Sequence, residues 1–210
     1  MITIARLYDD YDAAARAVDD LERSGIPASD ISIIASNADG WYDKDKPSVT
    51  TKRLDRDLDN VDDRREAADA GAAIGGTIGG VAGLLAGLGL LTIPGLGPVV
   101  AAGWLVSTAA LGIGAGVVGG IIGALTQSGM SEDEASLYAE GVRRGGAMVT
   151  ARVQEADAAR VESILDRTAV DIRARAAMWH RSGWTRFDPA APAYTADEIR
   201  RERELYRSRV

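Results

Sequence analysis

GAAIGGTIGGVAGLLAGLGLLTIPGLGPVVAAGWLVSTAALGIGAGVVGGIIGALTQSGM, residues 71–130, is the stretch on which the reading of this chain turns. No Asp, Glu, Lys, Arg or His lies between Asp69 and Glu132, in a chain that is 26% charged overall. Its glycines recur. Gly71, Gly75, Gly79, Gly83 and Gly87 are four apart, and Gly112, Gly116 and Gly120 repeat that step, continued by Ala124. A four-residue period lines one slowly drifting face of a helix. Glycine in a helix costs about 1 kcal/mol relative to Ala. The compensation such rows imply is close approach between helices, the small-xxx-small packing known from membranes.

Thr92-Ile93-Pro94-Gly95-Leu96-Gly97-Pro98 separates the two rows. Its prolines and glycines break a helix. The pattern therefore predicts a helical hairpin, helix A over about 71–91 and helix B over about 98–127, with Pro94, Gly95, Gly97 and Pro98 as the turn. Both helices are apolar on every side, and helix A would be roughly 31 Å long, near a bilayer's hydrocarbon thickness. If even ~1,000 Å² of that surface stayed wet, the penalty would be roughly 25 kcal/mol. Lipid or other copies of the chain must cover it. Against a full span, the turn itself is apolar, Lys and Arg anchors are absent, and Trp104 is the only aromatic nearby. A re-entrant hairpin or an oligomer core tolerates such a turn better.

The flanks alternate strand and helix signals. ITIARLY (2–8) and DISIIA (30–35) bracket a helix capped at Asp9 or Asp10 and running to Arg23, with Ala14, Ala17, Val18 and Leu21 on one face. This is a β-α-β unit with parallel strands. Beyond residue 130, Ser131 and Glu134 form a capping box for a helix to about Arg144, stopped by Gly145-Gly146. A strand over 147–153, a helix over 155–167 and a strand over 169–176 make a second β-α-β unit. Each unit alone is too small to bury a core. Together they predict an α+β fold: a ferredoxin-like, split βαβ–βαβ domain interrupted by the long apolar insertion. The expected divisions are 1–36, the first half; 37–70, an acidic flexible linker; 71–130, the glycine-zipper hairpin; 131–177, a capping helix and the second half; and 178–210, an aromatic tail and charged helix. In that tail Trp179, Trp184 and Phe187 precede Pro189 and Pro192, and Thr195 with Glu198 forms another capping box. The tail reads as an aromatic clasp followed by a solvated helix.

The N-terminal β-α-β resembles the general-stress YflT-like domain, also called general stress protein 17M-like. GGVAGLLAGLGLLTIPGLGPVVAAGWL, followed by YAEGVRRGGAMVTARV, resembles a bacterial group that joins such a domain to a glycine-zipper hairpin. TIPGLGP and EGVRRGG are the specific parts. The resemblance implies a stress association, with no known reaction and no catalytic residues to carry over.

Composition excludes several classes. A net charge of −7 argues against a general nucleic-acid binder, and without cysteine there is neither a disulfide framework nor thiol chemistry. The one histidine, His180, lies in the tail, and no nucleophile set, metal spacing or phosphate loop accompanies it. An enzyme is not expected, nor a cofactor. Asp55, Asp57, Asp59, Asp63 and Glu66 match a calcium-loop template in part, but Asn60 stands where the loop needs Gly and Asp62 where it needs an apolar residue. A solvated acidic linker accounts for them better.

MITIARLYDDYDAAARAVDD lacks the basic start and apolar core of a secretory signal. A mid-chain hairpin puts both flanks on one side of a membrane. The expectation is therefore a protein on the cytoplasmic side of the inner membrane, or a soluble cytoplasmic assembly. It inserts its hairpin into lipid or self-assembles through it as a homo-oligomer. A small-molecule-sensing ferredoxin-like domain and a membrane-perturbing hairpin are the alternatives.

Overall fold

The computed structural model describes residues 1–43, 83–86, 88–106 and 120–207. The fold is mixed α+β, built on a five-stranded sheet of order β1-β5-β2-β4-β3. The strands are β1 (Ile2–Tyr8), β2 (Ile31–Ser36), β3 (Gly89–Ile93), β4 (Gly97–Gly103) and β5 (Ala147–Val153). Every neighbouring pair is antiparallel. The helices are α1 (Tyr11–Arg23), α2 (Gly83–Ala86), α3 (Gly120–Gln127), α4 (Glu132–Arg143), α5 (Ala158–Leu165), α6 (Ile172–Arg181) and α7 (Ala196–Arg207).

The two-residue period of the strands sorts their side chains onto two faces. Ile4, Tyr8, Ile31, Ile33, Val100, Val149 and Ala151 meet Ala14, Val18 and Leu21 of α1 and Val161 and Leu165 of α5. Leu7, Ile34, Val99 and Met148 meet Ile121 and Leu125 of α3, Tyr138 and Val142 of α4, and Phe187. Helices thus cover both faces. Leu21 is fully buried, and burying a side chain of that size stabilises by about 1.5–3 kcal/mol. The caps agree with local chemistry. Asp10 accepts from the Ala13 amide at the start of α1, and Ser131 accepts from the Glu134 amide at the start of α4.

Three expectations need correction. Residues 89–91 and 98–103 belong to strands rather than to helices A and B. Pro94 and Gly95 do form a turn, but it joins β3 to β4. The physical reason is that the edge of β2 offers β4 a full ladder, Ser32 to Ser36 against Val99 to Gly103. Those bonds satisfy the backbone of a short apolar run with weak helix propensity. No helix among the described residues is long and apolar enough to cross a membrane.

The final strand expected over 169–176 shrinks to one bridge, Val170 to Leu7. Asp171 accepts from the Arg173 and Ala174 amides and starts α6, whose Ala- and Arg-rich sequence favours a helix. The start of the expected linker is folded. Asn37 and Tyr42 exchange hydrogen bonds at 2.9 and 3.0 Å, and Trp41 stacks on Tyr11 with centroids 4.6 Å apart. The expected parallel relation of β1 and β2 holds at a distance, because both run antiparallel to β5 between them.

Candidate functional site

The densest polar chemistry among the described residues lies where α4 ends. Glu140, Arg143 and Arg144 are spaced i, i+3, i+4, which places them on one face of a helix. Glu140 is 0% exposed. An isolated buried carboxylate would be costly, and two arginines offset it. The Arg144 Nε donates to Glu140 Oε1 at 2.6 Å, and the Arg143 Nε lies 3.1 Å from Oε2. Arg144 then reaches out of the helix, donating from its Nη1 to Glu202 of α7 at 2.7 Å. Burial opposes the charge on Arg144, but the hydrogen bond and charge of Glu140, with Glu202 beyond, outweigh it and raise its pKa.

The tail closes over this cluster. Tyr194 stands 5.1 Å from the Arg143 guanidinium and 5.3 Å from that of Arg144. Trp179 lies 5.2 Å from Arg144, and its indole N–H donates to the Tyr206 hydroxyl at 2.8 Å. Tyr206 donates in turn to Glu202. Arg175 sits 3.5 Å over the Tyr206 ring and pairs with Asp9 at 2.8 Å. Arg203 donates to Asp39 and to the Gly145 carbonyl, both at 2.9 Å. Burial, then the hydrogen bond to Glu202, push Tyr206 up to about 12. Burial, with the charges of Glu140 and Glu202, raises Tyr194 against the opposing pull of Arg144 and Arg143.

The same tail seals the β3–β4 turn. Gly95 and Gly97 have φ of +78° and +80°, which L side chains rarely adopt. A Cβ on Gly95 would fall 2.7 Å from the Pro189 Cα, and one on Gly97 2.6 Å from the Ala193 Cβ. Chain passes too closely for either. TIPGLGP and EGVRRGG therefore both lie against one strap, residues 179–206. The enclosed space there, lined by Tyr8, Arg144, Arg175, Trp179, Arg203 and Tyr206 among others, measures about 10 Å³. That is room for about one water and for no metabolite.

Of the residues singled out from the sequence, Pro94, Gly95, Gly97 and Pro98 lie in or beside the turn. Gly83 opens α2, and Gly120 opens α3. Gly71, Gly75, Gly79, Gly87, Gly112 and Gly116 lie outside the described residues, as do Asp55, Asp57, Asp59, Asp63 and Glu66. The two rows are thus not brought together within the described part. His180 is exposed, its Nδ1 2.8 Å from the Trp184 carbonyl. Sequence reasoning missed Glu140, Arg175, Glu202, Arg203 and Tyr206. The i, i+3, i+4 spacing of Glu140 with two arginines was the available signal, whereas the partners from the tail leave no periodic trace. No family model, no curated protein and no solved structure matches this chain.

Proposed function

We propose that this chain is a non-enzymatic, stress-associated interaction protein that joins to copies of itself through its apolar glycine-rich segment, as a cytoplasmic assembly. One observation carries the choice of self-assembly over membrane insertion. The middle of the uncharged run is built into the sheet as β3 and β4, so residues 89–91 and 98–103 are not available to complete two membrane-length helices. The stress association rests on the resemblance of the N-terminal β-α-β and of the TIPGLGP and EGVRRGG segments. The architecture supports a ferredoxin-like reading in which the last strand is reduced to the Val170 bridge and a β-hairpin is added beside β2. The strapped arginine cluster serves the interior of the fold: its charges are matched by Glu140, Glu202, Asp9 and Asp39.

Mass measurement on protein from fractionated native cells tests the reading. A soluble particle several times the 22.1 kDa chain mass is expected without detergent. Recovery only in a detergent-released membrane fraction overturns self-assembly in favour of lipid embedding. Within the assembly, Gly79→Leu is expected to block close approach and lower the mass. Unchanged mass in that variant removes the glycine rows from the contact.

A further inference from the structure

We propose that β3 is the seam for a second copy of this chain, the two β3 strands pairing antiparallel about a two-fold axis at Leu91. Five strands would then continue into ten. This rests on the self-assembly reading above and adds to the glycine rows a second contact surface in the same apolar segment.

The two edges of the sheet are treated differently. At one edge, β1 is closed by the Val170 amide, which donates to the Leu7 carbonyl at 2.7 Å. It is also guarded by Arg6, paired with Asp166 and Glu162. Charged side chains and extra backbone partners are the usual protection of a sheet edge. At the other edge, β3 is bonded, among the described residues, to β4 on one side only. Its residues are Gly-Leu-Leu-Thr-Ile, without a charge, an internal proline or a bulge. Leu90 is 46% exposed, which is unusual for a large apolar side chain among the described residues. Such an edge is a template for strand addition.

Two features favour a second copy as the occupant. The chain carries a net charge of −7, yet Gly89–Ile93 carry no charge, so the paired strands themselves set no like charges opposite one another in the ladder. A two-fold axis also makes the strand its own complement. Full overlap of five residues sets Leu91 against Leu91, and Leu90 against Thr92 twice. These are apolar and β-branched pairs of the kind that stabilise an antiparallel ladder.

The test is sedimentation velocity of the full chain over a range of concentrations. Leu90→Lys places a charge on an exposed position, where the fold itself tolerates it, and is expected to weaken the association about tenfold or more. Leu90→Thr keeps an uncharged, β-prone residue and is expected to associate like the parent. Because the chain has no cysteine, a Leu90→Cys, Thr92→Cys double variant supplies a second readout. Oxidation is expected to yield a covalent dimer. Association of Leu90→Lys equal to the parent, with no cross-linked dimer, overturns the seam and leaves self-assembly standing. A parent chain that stays monomeric at every concentration overturns both.

Discussion

Glu140 shows how much a single side chain asks of its surroundings. It is fully buried, and its carboxylate is held by Arg143 and Arg144 from the same helix. Arg144 is the more consequential partner, because it also holds Glu202 of α7. Arg144→Ala strips Glu140 of its shorter ion pair and Glu202 of its anchor. The expected loss is on the order of 3–5 kcal/mol, read from urea unfolding. Arg144→Lys restores the charge but cannot serve two carboxylates in the same planar fork, so only part of that loss should return. A loss below about 1 kcal/mol for the alanine variant, the range of exposed surface pairs, would show that the cluster is solvated and that Arg143 suffices.

At the scale of the element, β5 organises the sheet. It lies between β1 and β2, and both of its faces are covered by helices. Its alternation, Ala147, Val149, Ala151 and Val153 toward α1 and α5, follows directly from AMVTARV. Thr150 breaks the rule that buried polar groups are bonded: it is 0% exposed and its hydroxyl has no partner among the described residues. Leaving a hydroxyl buried and unbonded costs about 1–3 kcal/mol, and valine has nearly the same shape. Thr150→Val is therefore expected to stabilise the fold by about 1 kcal/mol, visible as a higher denaturant midpoint with an unchanged slope. Destabilisation by that substitution would mean the hydroxyl has a partner, such as a bound water.

The whole molecule is held together by its last 30 or so residues as much as by its sheet. Residues 179–206 bind the arginine cluster and the β3–β4 turn at once, through Glu202, Arg203, Tyr206 and the chain at Pro189. This strap carries a pH dependence. The folded-state pKa of Tyr206 is raised from its ordinary 10.0 to about 12, so the neutral phenol is the form the fold prefers. The associated stability is fully present below pH 10 and is lost as pH rises through about 12, where a phenolate would face Glu202. Alkaline titration followed by tryptophan emission is expected to show loosening in that window. Tyr138, also pushed up to about 12 by burial, and Tyr8, raised further by burial, add to it. Tyr206→Phe should flatten the loss over the same window, while costing about 1 kcal/mol at neutral pH for its hydrogen bonds. Identical alkaline slopes in parent and variant would remove Tyr206 from the account.

Local pattern alone determined β1, α1, β2, α4 and β5, because each is a short run whose hydrophobic period, cap and stop residues act within a dozen positions. Ser131 and Thr195 were legible as caps for the same reason, as was the α1 cap to within Asp9 or Asp10, and the break at Pro94 to Pro98 was legible from residues that forbid a helix. What that break connects was not legible. An uncharged, glycine-rich run satisfies a helix or a strand about equally, and the open edge of β2, some 60 residues away in the chain, decides for strands by supplying hydrogen-bond partners. The last strand failed on the same ground in reverse: Asp171 caps a helix before a ladder to β1 can extend past Val170. The candidate site was half legible. Glu140, Arg143 and Arg144 share a helix face that spacing reveals, but Arg175, Glu202, Arg203 and Tyr206 join them only because tertiary packing carries the tail across both segments, and charge pairing between distant elements leaves no period in a sequence.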